Sequence, residues 1–139
     1  MKTKKYQKSE LKKWSKKTWT AFSLYIRTKY VNFQGYVQCY TCEKWFPLKE
    51  TQAGHCFHKG NGAYKALDFD ENHIKPQCGG CNVFTGGSVN KFQHKLTQEL
   101  GLTGVEEMIK RRATEKALTV EELQFIYEQY TKLLKLNSL

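Results

Sequence analysis

Between Ser9 and about Tyr30 the apolar residues Leu11, Trp14, Phe22, Tyr25 and Ile26 recur at helical spacing, and Lys12, Lys13, Lys16 and Lys17 fill much of the remainder. The pattern predicts an amphipathic helix with a strongly basic side, N-capped by Ser9. Its aromatic residues, Trp14, Trp19, Phe22 and Tyr25, read as packing groups rather than base-stacking ones. Residues 31–60 change character: aromatic and β-branched residues, Cys39-x-x-Cys42, then Lys44-Trp45-Phe46-Pro47 predict a cysteine knuckle followed by short strands. Gly54, Gly60 and Gly62 punctuate a loop, and the alternation in Ala66-Leu67-Asp68-Phe69-Asp70 predicts a second short strand. Asn72 to Cys78 leads into a second knuckle, Cys78-x-x-Cys81, kept tight by Gly79-Gly80.

From Asn82 the pattern turns helical, is broken by Gly86-Gly87, and resumes as a helix near Ser88 to Leu100 that Gly101 stops. Thr103-x-x-Glu106 and Thr119-x-x-Glu122 read as capping boxes, opening helices to about Ala117 and to about Lys135. The last carries Val120, Leu123, Ile126, Tyr127, Tyr130, Leu133 and Leu134 on overlapping faces. The reading is an α+β chain in three segments: a basic helix over 1–34, a cysteine-bounded core over 35–100 and a helical pair over 101–139.

At 139 residues with 40% hydrophobic content, the chain suits one modest core. No apolar run approaches the roughly 20 residues of a membrane span, and the basic start leads into no apolar signal region. The expected setting is therefore the cytoplasm, that of the host if the chain is phage-encoded. Charge adds a direction. The net charge is +10, yet residues 1–30 hold nine Lys and one Arg against Glu10 alone, and the rest is nearly neutral. Such a segment suits a polyanion, foremost nucleic acid, although a solvated, solubilising tail has the same composition.

The five cysteines decide more. Cys39, Cys42, Cys78 and Cys81 form two pairs and Cys56 is left over as a buried thiol. Paired spacing with an odd count argues against a disulfide framework and for four thiolates around one structural Zn²⁺, a closed site with no position for substrate.

Material between and after the knuckles points further. Gln52-Ala53-Gly54-His55 follows the first knuckle, Asn72 precedes the second and Asn82 directly follows Cys81. This order resembles the zinc-stapled form of the His-Asn-His (HNH, ββα-metal or His-Me finger) nuclease motif. Ala53-Gly54-His55, Leu67-Asp68-Phe69-Asp70-Glu71-Asn72, Pro76-Gln77-Cys78 and Gly86-Gly87 are similar to the NinG/Rap recombination nucleases of lambdoid phages. So is the start of the tail helix, Leu118-Thr119-Val120-Glu121-Glu122-Leu123. The likeness covers roughly residues 35–135.

The resemblance implies a β-hairpin whose first strand delivers His55 and a helix whose first turn delivers Asn82. His55 would act as general base, Asn82 would ligate a catalytic Mg²⁺ or Mn²⁺, and Asn72 would hold the hairpin loop and so orient His55. Many relatives carry Asp or His just before the base as a second metal ligand, whereas Gly54 stands here. Asp70 is the chosen substitute, with Asp68, His58 and Glu71 as others; alternatively His55 is a ligand and His58 the base. His73 and His94 read as surface residues, and Lys91 and Lys95 as phosphate contacts or a solvated face. The implied activity is structure-selective cleavage of branched or recombining DNA in phage recombination or replication, with a homodimer as one way to cut paired strands. The alternative is a non-catalytic zinc ribbon that binds nucleic acid.

Overall fold

The first element begins earlier than its apolar pattern. In the computed structural model, which describes residues 3–137, α1 spans Lys4–Lys29 and is capped by Thr3, whose hydroxyl accepts the Tyr6 N–H at 3.1 Å. Ser9 therefore lies inside the helix: the first turns carry only polar residues and Tyr6, so hydrophobic spacing cannot mark them. Thr18, Ala21, Phe22 and Ile26 form the buried stripe, and Lys12, Lys13, Lys16 and Lys17 are exposed.

Strands β1 (Tyr36–Gln38) and β2 (Trp45–Pro47) pair antiparallel around the first knuckle, with Glu43 at a left-handed φ of 65° closing the turn. Strands β3 (Thr51–His55) and β4 (Ile74–Cys78) form the second hairpin, in register from Thr51↔Cys78 to His55↔Ile74. The Tyr40 N–H donates to the Pro76 carbonyl at 2.9 Å and ties the two hairpins together.

The strand expected over Ala66–Asp70 is instead a 3₁₀ turn, Ala66–Phe69. Leu67, Asp68 and Phe69 are all buried there, and Asp68 accepts the Lys65 N–H at 2.7 Å. That local bond folds the chain back where an extended strand would expose every second residue. After β4 the chain makes a five-residue π-helical turn, Gly80–Phe84. Helix α2 (Val89–Thr114) is broken by non-helical geometry at Gly101, where a stop is expected. Thr103 and Glu106 already lie within its second half, so that capping box is not used as one. The other is. Glu122 N–H donates to Thr119 Oγ1 and Thr119 N–H to Glu122 Oε1, both at 3.1 Å, at the start of α3 (Val120–Asn137).

Two apolar clusters hold these parts. Phe22 and Ile26 of α1 pack with Ala53, Phe69, Ile74, Leu118 and Leu123, so α1, the second hairpin and α3 share one core. Tyr40, Cys56 and Leu67 pack with Phe92, Leu96, Val105 and Met108 of α2. The aromatic residues of α1 are packing groups as expected: Trp14 stands edge-on to Tyr127 and Phe22 edge-on to Tyr130. Among the described residues no helix is long and apolar enough to cross a membrane.

Candidate active site and metal centre

The first knuckle follows β1 and the second closes β4, and the β1–β4 link brings them together. The sulfurs of Cys39, Cys42, Cys78 and Cys81 all lie within 4.8 Å of one another, with Cys42 and Cys78 3.9 Å apart. A tetrahedron with Zn–S bonds of about 2.3 Å has edges of about 3.8 Å. The four cysteines are thus positioned to hold a metal, and all-sulfur donors suit Zn²⁺. Burial would raise the Cys39 thiol, but N–H groups of Cys42, Cys78 and Thr41 directed at its sulfur bring it down to about 6. Cys56 is buried outside this cluster, and burial pushes its thiol up to about 12.

His55 is the last residue of β3. Its ring stacks on Trp19 of α1 at 4.8 Å and 16° between planes. Its Nε2 lies 3.1 Å from Asp68 Oδ1, off the ideal hydrogen-bond direction. Arg112 grips the same carboxylate through Nη2 at 2.5 Å and Nη1 at 3.3 Å. Burial would raise Asp68, but His55, Arg112 and the Lys65 N–H together hold it well below the usual carboxylate range. The imidazole thus has a buried, ionised partner behind it.

His73, expected at the surface, is fully buried. Its Nδ1–H donates to the Leu67 carbonyl at 3.1 Å and its Nε2 accepts the Phe57 N–H at 3.0 Å. One neutral ring therefore clamps both ends of the 56–67 loop that follows His55. Burial lowers its pKa to about 4. Asn72, for which the sequence suggests a loop-holding role, is exposed, and its backbone N–H donates to Asp70 Oδ1 at 2.8 Å.

Strand alternation divides the candidate residues between two faces. Ala53 and His55 face α1, whereas Gln52 and Gly54 face the π-helical turn that carries Asn82. Asn82 Nδ2 donates to Gln52 Oε1 at 2.6 Å. A Cβ at Gly54 would stand 3.1 Å from Asn82 Oδ1 and would overlap the Gln77 side-chain oxygen. Position 54 therefore faces Asn82. His55 and Asn82 approach the hairpin from opposite faces, with the Gly54–His55 peptide between them.

The acidic residues that could substitute for Gly54 are each paired with a basic side chain. Asp68 is held by Arg112, Asp70 Oδ2 by Arg111 at 2.6 Å, and Glu71 Oε1 by Lys29 at 2.9 Å. Asp70 Oδ1 takes the Asn72 N–H, and Glu71 Oε2 takes the Tyr130 hydroxyl at 3.1 Å. The exposed His58 has its Nε2 3.0 Å from the Gly86 carbonyl. Gln52 and Gln77 fall within the motif stretches but no role is legible for them there, and Arg112 carries no signal at all, because these roles arise from contacts distant along the chain.

The family model for the bacteriophage lambda NinG protein matches residues 1–138 of the chain. No curated protein and no solved structure matches it.

Proposed function

The chain belongs to the bacteriophage lambda NinG family, and on that footing we propose that it is a metal-dependent DNA endonuclease of the HNH type, hydrolysing phosphodiester bonds in branched or recombining DNA. The observation that carries this reading is the hairpin ending in His55, backed by Asp68, with the turn after β4 presenting Asn82 beside position 54. In this reading the four cysteines hold a structural Zn²⁺ that fixes β4 and the Asn82 turn against the first hairpin.

Asp68 Oδ1 stands at His55 Nε2, which favours a proton on that nitrogen and leaves Nδ1 to take one from a water. Trp19 fixes the plane of the ring, and Arg112 keeps Asp68 ionised. His73 holds the loop behind them. On the other face, Asn82 aims its amide oxygen at the space over Gly54 while Gln52 engages its nitrogen. A carboxamide oxygen so held suits a hard cation such as Mg²⁺ or Mn²⁺. When bound, such an ion supplies charge neutralisation at the scissile phosphate and the leaving oxygen. Because His55 closes β3, a phosphate reached from both faces must lie across the strand end. The exposed lysines of α1 supply backbone contacts for a DNA partner.

The test is cleavage of labelled duplex, flap, single-stranded and four-way DNA by the metal-loaded protein with Mg²⁺ or Mn²⁺. His55→Ala should abolish cutting while zinc content and helicity stay unchanged. If His55→Ala cuts normally and His58→Ala does not, the base assignment moves to His58. Salt-sensitive binding without hydrolysis at any divalent ion would leave the non-catalytic nucleic-acid-binding reading.

A further inference from the structure

Gln77 lies in the middle of the site, fully buried in β4 opposite Gln52. Its Nε2 donates to Thr41 Oγ1 at 3.0 Å and to the Gly87 carbonyl at 2.9 Å. The second bond settles which way the amide points, since a rotated carboxamide would set oxygen against the Gly87 oxygen. Its Oε1 consequently faces the space over Gly54, where it is buried with no hydrogen-bond partner. A buried carbonyl oxygen without a partner carries a penalty of about 1–3 kcal/mol, so such an atom calls for an explanation.

Asn82 Oδ1 points into the same space. Two amide oxygens thus converge where a side chain at position 54 would begin, and Asp68, Asp70 and Glu71 are all held by basic residues elsewhere. We infer that Gln77, through Oε1, is the second protein ligand of the divalent cation held by Asn82, taking the place of the acidic or imidazole ligand that Gly54 lacks. The inference takes its chemical setting from the nuclease reading, but it stands on this geometry and is tested by binding. Mg²⁺ is a hard cation that takes oxygen ligands at about 2.1 Å, and a carboxamide oxygen is such a ligand. Two neutral ligands leave the remaining positions to water and phosphate oxygens, as Mg²⁺ prefers. Glycine at 54 is then required, because any Cβ there would displace the Gln77 oxygen.

The experiment follows the side-chain amide resonances of Gln77 and Asn82 in the zinc-loaded wild-type protein during a Mg²⁺ titration, alongside Mn²⁺ affinity measured by electron paramagnetic resonance. Both amides should shift together and saturate with one midpoint. Gln77→Ala should weaken Mn²⁺ binding about tenfold or more. Gly54→Asp combined with Gln77→Ala should recover it, since the carboxylate then enters the vacated space. If Asn82 shifts and Gln77 does not, or if folded Gln77→Ala binds Mn²⁺ like wild type, the inference fails while the nuclease reading survives. Gln77-dependent binding in a protein that cuts no DNA would remove the nuclease reading and leave the site.

Discussion

Gly54→Ala sets two opposed effects against each other at one position. Residue 54 is in the extended strand β3, outside the left-handed region, so alanine suits the backbone there. By restricting the unfolded chain it should stabilise by about 0.4–1 kcal/mol. Against this, the new methyl overlaps the Gln77 carboxamide. Gln77 yields only by giving up its bonds to Thr41 and Gly87, at 3.0 and 2.9 Å. Two such bonds contribute about 2 kcal/mol together, and crowding a packed interior adds about 1–3 kcal/mol. The clash wins, and the net destabilisation is about 3 kcal/mol. For a chain of this length that lowers the melting midpoint by about 10 °C.

Urea unfolding of the metal-loaded variant measures the change directly, with the slope against denaturant checked for two-state behaviour. Adding Gln77→Ala in the same background removes the obstacle. The double variant should therefore be less destabilised than the sum of the singles by at least about 1 kcal/mol. An unchanged or raised midpoint for Gly54→Ala would show that the carboxamide moves aside freely. Gln77 would then not be held rigidly over position 54.

Three further outcomes follow from other parts of the molecule. Stripping the metal from Cys39, Cys42, Cys78 and Cys81 should destabilise by several kcal/mol, read as loss of a cooperative melt that returns with one equivalent of Zn²⁺. His73 is neutral when folded, with its pKa lowered from 6.5 to about 4, so the unfolded chain binds more protons between those values. Stability is then full above about pH 6.5 and declines by about 3 kcal/mol as pH falls through the folded value; His73→Gln should flatten that part of a stability-against-pH curve. Replacing the exposed Lys8, Lys12 and Lys16 by Gln should lower the salt slope of DNA binding by nearly one unit per lysine that meets a phosphate, and an unchanged slope would move the binding surface away from α1.

What was legible in the sequence was whatever spacing alone determines. The two knuckles, the basic helix, the Gly101 stop and the Thr119 cap are local patterns, and each is present in the fold. The 66–70 segment misled because its alternation is real but its polar member, Asp68, is the most deeply committed residue in it. Arg112 and His55 draw that carboxylate inward, and neither is a sequence neighbour. The same cause explains His73. Its neighbour Asn72 matches the motif's letter, yet the adjacent ring makes the two bonds that close the loop.

Along the chain, Gly54 stands where the resemblance to the His-Asn-His motif implies a metal ligand, so a donor is missing there. Within the hairpin, the missing side chain is what admits the Gln77 oxygen to the place it would have filled. The strand partner in register with Gln52 thus reaches diagonally across to position 54, a contact that pairing and pleat permit but that no motif encodes. If Gln77 is a ligand as inferred, the donor comes from the other strand of the hairpin, because positions 54 and 77 share one face. The loss at Gly54 and the gain at Gln77 would then be a single coupled change, so substitutions at the two positions must be made together to be interpreted.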